Sequence, residues 1–168
     1  MKLIKLAVIS FVFFFLLITA FSLLVPSRVT ISKVVEITAP KEKLMEQLSD
    51  PVQWKNWYPN AANASLLVID GVPKGIHSGR NTEQGLMITS VEPDAVKAKN
   101  VGPGAKDVST GWNIMNAERS GTYTVQWYME FRLKWYPWEK FSSLLFDKQY
   151  GSQMQTGLDN LKKQLETK

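Results

Sequence analysis

The sequence contains no cysteine and only one histidine, His77, among its 168 residues. A chain without cysteine forms no disulfide and offers no thiol nucleophile or redox pair. A single histidine is too few for the Cys and His clusters that hold structural zinc. We therefore expect neither a metal nor a cofactor.

The sequence also lacks any cluster of basic residues. It has 20 Lys and Arg against 15 Asp and Glu, for a formal net charge of +5 at pH 7. These charges are scattered, whereas nucleic-acid-binding proteins concentrate them on one stripe or face. We expect no nucleic-acid partner. Mild basicity is compatible with an anionic lipid surface.

Charge is absent altogether from Leu6 to Val25. About 20 apolar residues in a helix span the roughly 30 Å core of a bilayer, so this run predicts a single transmembrane helix and a membrane anchor over residues 1–26. A signal peptide cleaved near Ala20-Phe21-Ser22 is the alternative, although its apolar region would be shorter than this one.

The charges beside the run predict its direction. Lys2 and Lys5 precede it, which favours a cytoplasmic N-terminus and places the remaining chain outside the cytoplasm. Arg28 and Lys33 follow the run and weaken this prediction.

Residues 27–168 suffice for one domain with its own core. Between Arg28 and Thr38, apolar residues alternate with polar ones, which predicts a half-buried strand with Lys33 as the exception on the inner face. Helices are predicted at Lys41–Leu48, at Pro51–Trp57 and from Asp147 to Glu166. Shorter strands are predicted between Ser65 and Val101, so the order of elements indicates an α+β fold.

The best hairpin signal runs from Tyr123 to Trp135, where apolar and polar residues alternate. A two-residue turn at Ser120-Gly121 would place Trp112 on the face of Trp127 and would bury Glu118, a weak catalytic candidate. A three-residue loop would instead turn Met115 and Ala117 inward. We favour the three-residue loop because it buries less polarity.

Two patterns of residues look familiar. The first is Ile37–Pro40, then Leu44 and Leu48, then Asp50-Pro51-x-x-Trp54-x-x-Trp57-x-Pro59; the second is Trp135–Trp138, Phe146-Asp147 and Gly157-Leu158-x-x-Leu161-Lys162. Over residues 29–166 the chain resembles the SRPBCC (START-like) superfamily, in particular its polyketide cyclase/dehydrase and lipid-transport branch.

That resemblance implies a helix-grip fold, in which a seven-stranded antiparallel sheet curls around a long C-terminal helix and encloses a hydrophobic cavity. Members bind lipids, sterols or polyketides; some catalyse cyclisation or hydroxylation, and others assist chaperones. The expected ligand-binding residues, on the strands and the last helix, are Trp112, Trp127, Met129, Phe131, Met154 and Leu158. Gly151 and Gly157 on this helix would serve either close packing or room for a ligand.

Other candidates have plainer interpretations. His77, with Ser78 and Arg80, is interpreted as an exposed histidine in a turn-rich segment. Trp54 and Trp57 are expected to pack the short helices onto the sheet. Residues 135–138 are interpreted as a strand end rather than an interfacial patch.

The function predicted from these features is a membrane-tethered module that binds a small hydrophobic ligand. The alternatives are an aromatase/cyclase-type enzyme acting in the same cavity and a domain whose partner is another protein. The sequence identifies neither the ligand nor any protein partner.

Overall fold

A computed structural model of the chain describes residues 2–78 and 81–167. The elements, in order, are α1 (Lys2–Ser22), β1 (Arg28–Thr38), α2 (Lys41–Ser49), α3 (Trp54–Trp57), β2 (Leu66–Ile69), β3 (Val72–Ser78), β4 (Asn81–Glu92), β5 (Ala95–Val101), β6 (Val108–Asn116), β7 (Thr122–Arg132), α4 (Pro137–Ser142), a 3₁₀ turn (Ser143–Leu145) and α5 (Phe146–Glu166).

The described residues form one antiparallel sheet of seven strands in the order β1-β7-β6-β5-β4-β3-β2. Helix α5 packs against β1, β7 and α3. This arrangement confirms the predicted α+β class and resembles a helix grip. The bounds predicted for β1 agree with those of the structure.

Strand β1 shows why the alternating pattern predicts a buried face. Ile31 and Ile37 are buried against the core, and Lys33 lies half-buried on the same face. The Lys33 ammonium is 3.0 Å from a carboxylate oxygen of Asp147 at the start of α5. This ion pair lets a charged residue occupy an inward position.

The β6–β7 hairpin corrects the predicted register. Trp112 pairs with Trp127 and Asn116 with Tyr123, so the connecting loop is longer than either predicted turn. Two extra residues relative to the two-residue turn leave the inward face unchanged, because side chains alternate with a period of two. Met115 is therefore exposed, and the expectation that it faces inward is wrong.

The registers define two ends of the sheet. Arg28 of β1 pairs with Arg132 of β7, and Phe131 with Val108 of β6, at the end where the chain leaves α1. We call this the proximal end. The other, distal end holds the β6–β7 loop and the C-terminus of α5, where Glu166 accepts a hydrogen bond from the backbone N–H of Thr38 at 2.9 Å.

The segment after β7 is not a strand end, contrary to the sequence interpretation. Strand β7 stops at Arg132, and Pro137 begins α4, as proline favours the first position of a helix. Trp135 lies between the two elements and is exposed.

Helix α1 has 21 residues, most of them apolar. Its length and composition are those of a membrane-spanning helix, or equally of a signal sequence. It contacts the domain at α4. There the buried Lys140 ammonium donates a hydrogen bond of 2.8 Å to the carbonyl oxygen of Val25, just beyond the end of α1.

Candidate ligand-binding cavity

A cavity of about 330 Å³ lies between the sheet and α5. Small-molecule sites usually have about 300–1,000 Å³, so this volume suits a small ligand. The wall is formed by residues from several elements: Tyr58, Pro59, Asn60, Ile76, His77, Ser78, Leu86, Asn100, Trp127, Met129, Tyr150, Gln153 and Met154. Most of these residues lie toward the proximal end.

The apolar part of the wall is held in place by hydrogen bonds behind it. The indole N–H of Trp127 donates to the hydroxyl oxygen of Thr110 at 2.8 Å, and that hydroxyl donates to the carbonyl oxygen of Tyr128 at 2.7 Å. Because Thr110 is buried, both bonds are shielded from water. The Trp127 ring is therefore a fixed surface of the cavity.

Five aromatic side chains form a cluster behind and beside this wall. They are Trp54, Trp57, Tyr58, Trp112 and Trp127, and the distances between contacting ring centroids are 5.1 to 6.2 Å. The indole groups of Trp54 and Trp57 donate to the carbonyl oxygens of Leu48 and Gln47, at 2.9 and 3.1 Å. Both residues are buried and pack the short helices onto the sheet, as expected.

The six residues predicted to bind a ligand divide into two groups. Trp127, Met129 and Met154 lie on the cavity wall. The others lie elsewhere: Trp112 and Leu158 are fully buried in the packed core, and Phe131, whose ring lies 4.5 Å from that of Phe146, lines a separate pocket at the proximal end.

A polar rim was not foreseen from the sequence. It consists of Asn60, His77, Ser78, Asn100 and Gln153, which come from four different elements or loops. No local motif marks these residues, since only the fold brings them together. An amphipathic ligand could therefore meet polar groups at one side of an otherwise apolar cavity.

His77 differs most from its sequence interpretation. It lies in β3 and is half-buried, not exposed in a turn. The pairing of β3 with β4 shifts between His77 and Ser78, which explains why two consecutive residues both reach the cavity. Nδ1 of His77 is buried and has no hydrogen-bond partner among the described residues. Arg80 lies outside the described residues.

Tyr58 brings a second titratable group to the cavity. Its ring lies 5.1 Å from that of Trp127, and burial raises the pKa of the phenol above its usual value of 10. The phenol therefore stays protonated at neutral pH and can donate a hydrogen bond.

The two glycines of α5 serve close packing. A Cβ on Gly157 would lie 2.7 Å from the Trp127 ring and 2.8 Å from Cδ of Pro59. A Cβ on Gly151 would lie 2.8 Å from Cε of Lys33. At both positions neighbouring atoms already fill the space of a side chain, so neither glycine leaves room for a ligand.

Glu118 is not a buried carboxylate. It is exposed in the distal loop, in a polar groove shared with Glu36, Lys162 and Glu166 and away from the cavity wall. Within residues 2–78 and 81–167, no three His, Asp or Glu side chains converge in a way that could hold a metal ion.

Comparison with known proteins gives a consistent result. Residues 28–166 match the sequence profile of a family described as polyketide cyclase / dehydrase and lipid transport. Among curated proteins, no sequence matches the chain.

Solved structures share the fold at low sequence identity. A solution structure from Thermobifida fusca is 18% identical, with a TM-score of 0.61, and the match covers 82% of this chain and 95% of that one. XoxI from Bacillus cereus is 10% identical, with a TM-score of 0.58 and coverage of 81% and 94%. The Aha1 dimer from Colwellia psychrerythraea is 18% identical, with a TM-score of 0.55 and coverage of 82% and 96%. Such similarities establish the fold alone.

Proposed function

The chain belongs to the polyketide cyclase / dehydrase and lipid transport family, and from this premise we propose that it binds a small amphipathic lipid or polyketide-like molecule in the cavity between the sheet and α5. The observation that carries the proposal is the asymmetry of the cavity. Trp127, Met129 and Met154 offer an apolar wall, whereas His77 and Asn100 belong to a polar rim.

The proposed orientation follows from this asymmetry. The apolar part of the ligand packs against Trp127 and the two methionines, since methionine adapts to irregular apolar shapes. The polar part lies at the rim, where the free Nδ1 of His77 can form a hydrogen bond. Satisfying a buried polar atom adds affinity and selects ligands with a polar group at that place.

The apolar contacts alone give modest affinity. Burial of ~200 Å² of ligand surface at about 25 cal/mol per Å² contributes ~5 kcal/mol, which corresponds to a Kd on the order of 0.2 mM. Hydrogen bonds at the rim are therefore needed for tight binding. We expect free hydrocarbons to bind more weakly than fatty acids or alcohols of equal length.

The proposal also places the domain at a membrane. Helix α1 is apolar and, outside its contact with α4, is not covered by the domain. In the proposed topology α1 is an uncleaved anchor, Lys2 and Lys5 lie in the cytoplasm, and the domain lies outside it. The N-terminal mass of the mature chain tests cleavage. Protease treatment of intact spheroplasts tests topology, because a protected domain contradicts it.

One observation favours a second candidate, an enzyme of the cyclase type. The unpartnered Nδ1 of His77 and the protonated phenol of Tyr58 belong to the same cavity. A histidine base and a phenol donor are the general base and acid that enolisation and ring closure of a polyketide-like substrate would use. Turnover of a model poly-β-ketone, lost in His77→Gln while ligand binding is retained, would support this candidate.

The binding proposal is tested by displacement of a fluorescent fatty acid from the full chain in detergent. Met129→Trp places a bulky ring in the cavity and should abolish probe binding. Met115→Trp is the matched control, since Met115 is exposed on β6. Equal binding by both variants would contradict the proposal. If the two variants differ as expected, mass spectrometry of molecules that copurify with the unaltered chain would identify the natural ligand.

A further inference from the structure

Five large apolar side chains lie exposed on α4 and its flanks: Trp135, Trp138, Phe141, Leu144 and Leu145. We propose that they form a lipid-facing patch that rests in the headgroup region of the bilayer beside α1. The inference uses the anchoring role proposed for α1 and does not depend on ligand binding.

The exposure of this patch is large. The exposed fractions are 62% for Trp135, 62% for Trp138 and 70% for Leu144, and the two remaining side chains are 40% and 63% exposed. Single exposed apolar residues are ordinary on soluble proteins, whereas five within eleven residues, with Trp138, Phe141 and Leu145 at the spacing of one helix face, indicate an interaction site.

The segment is also amphipathic, but with its apolar side chains facing outward and polar ones facing inward. Its inward side buries Pro137, Lys140 and Ser143, whereas its outward side carries the apolar residues. The buried polar groups are satisfied, because Lys140 donates to Val25 and the Ser143 hydroxyl donates to the Lys140 carbonyl oxygen at 2.7 Å. Exposing apolar side chains while burying a lysine disfavours contact with water and favours contact with lipid.

The position of the segment identifies the bilayer as the occupant. At 1.5 Å per residue, the 21 residues of α1 span about 31 Å, which matches the thickness of a hydrocarbon core. The C-terminal end of α1 therefore lies at the membrane surface. Because Lys140 of α4 bonds to Val25, α4 lies at that same level. The neighbouring Leu23 and Leu24 extend the exposed apolar surface between them.

The chemistry of the segment suits headgroups. The Tyr136 ring lies 4.9 Å from Trp135 and is stacked on Trp138 at the same distance, and amphipathic aromatic rings favour the membrane interface. The exposed residues Lys134 and Lys148 flank the patch in the sequence, and exposed Arg28 follows α1; their side chains can reach lipid phosphates.

The test uses the full chain in nanodiscs of phosphatidylcholine and phosphatidylglycerol. Since the chain has no cysteine, Leu144→Cys carries a single nitroxide label. Collision rates with oxygen, which concentrates in lipid, and with a water-soluble nickel chelate are measured by EPR. The matched control is Val91→Cys, because Val91 is 54% exposed at the distal end. At position 144 we expect the collision rate of the label with oxygen to exceed that with the nickel chelate several-fold. At position 91 we expect the reverse.

Two results would overturn the inference: nickel access at position 144 equal to that at 91, or protection from both reagents, which would indicate a protein cover. A label at Phe14→Cys in α1 separates the two proposals. If position 14 is in lipid and position 144 is in water, only the patch is wrong; if position 14 is in water, the anchor is wrong as well.

A second measurement needs no label. Lipids brominated near the headgroup should quench part of the tryptophan emission, and Trp135→Phe with Trp138→Phe should remove that quenchable part. The four buried tryptophans are internal controls, since lipid cannot reach them. Unchanged quenching in the double variant would also overturn the inference.

Discussion

The ammonium group of Lys33 reaches across Gly151 to the carboxylate of Asp147, at 3.0 Å. A lysine on the inner face of β1 and a glycine in α5 are therefore accommodated together. The absent side chain of Gly151 leaves the space that the lysine stem occupies, and the ion pair fixes where α5 begins relative to β1.

The different surroundings of the two glycines of α5 give different expectations for their replacement by alanine. In Gly157→Ala the new methyl group would lie 2.7 Å from the Trp127 ring, whose indole N–H is held by its bond to Thr110, and 2.8 Å from Cδ of Pro59. We expect a loss of roughly 1–3 kcal/mol in the free energy of unfolding, as is typical of overpacked cores. Urea unfolding followed by tryptophan fluorescence measures this loss.

Gly151→Ala is the matched control. Its methyl group meets the end of the Lys33 side chain and a carboxylate oxygen of Asp147, both partly exposed, and alanine is favoured over glycine in a helix by about 1 kcal/mol. A weakened, partly exposed ion pair costs about 0–1 kcal/mol. The free energy of unfolding should therefore change by less than about 1 kcal/mol. An equal loss in both variants would show that the contact with Trp127 is not decisive.

The pKa of Tyr58 predicts a pH dependence of stability. Burial raises the pKa of this phenol in the folded chain, whereas in the unfolded chain it stays near 10. Above pH 10 the unfolded state loses a proton that the folded state keeps, so stability falls by up to about 1.4 kcal/mol per pH unit. Tyr58→Phe should lack this contribution.

The measurement compares the unfolding of both chains in detergent between pH 8 and pH 11. Lysines titrate equally in the two chains, so the difference isolates Tyr58. Between pH 8 and 9 the difference should be constant, and above pH 10 the unaltered chain should lose stability relative to Tyr58→Phe. Parallel curves over the whole range would disprove the burial of the phenol.

Lys140 is predicted to hold the domain against α1. Its ammonium is buried and bonds to the carbonyl oxygen of Val25. In Lys140→Met the stem remains but the charged donor is lost, which costs about 1.5–3 kcal/mol for such a bond. We expect amide hydrogen exchange of residues 23–28 to rise by about tenfold or more in nanodiscs. Lys148→Met, at an exposed position nearby, should leave exchange unchanged.

Met154 is predicted to limit the size of the ligand. It is buried, lies on the cavity wall and can be shortened in Met154→Ala, at a cost of about 2–5 kcal/mol in stability. The variant should favour longer or bulkier ligands in the displacement assay. Leu161→Ala is the control, because Leu161 is fully buried on the same helix but not on the wall. It should lose stability without a change in ligand preference.

Local pattern was enough to predict much of the fold. The alternation in Arg28–Thr38 predicts β1 correctly, because a half-buried strand leaves a period of two in the sequence. The spacing of Met154, Leu158 and Leu161 predicts α5 in the same way, and all three are buried. The short α3 was predicted three residues too long at its start, since Asp50 bonds to the backbone of Val52 in a turn before the helix.

The site was harder to predict because it depends on how strands that are distant in the sequence pair with one another. The β6–β7 loop length cannot be read from Ser120-Gly121, and it decides whether Met115 or Trp112 faces inward. The half-buried position of His77 differs from its sequence interpretation because the register shift between β3 and β4 is set by strand pairing and not by the residue itself. The wall residues Trp127 and Met129 were accessible to sequence reasoning since they lie mid-strand on a clearly apolar face.

The shortness of the connection between α1 and β1 limits where the domain can work. Only residues 23–27 join the two elements, and five extended residues reach at most about 18 Å. If α1 is the proposed anchor, so short a linker keeps the domain from reaching a facing membrane. Under the proposed function, a bound ligand would therefore be exchanged only with neighbours in the same membrane or with a separate diffusible carrier.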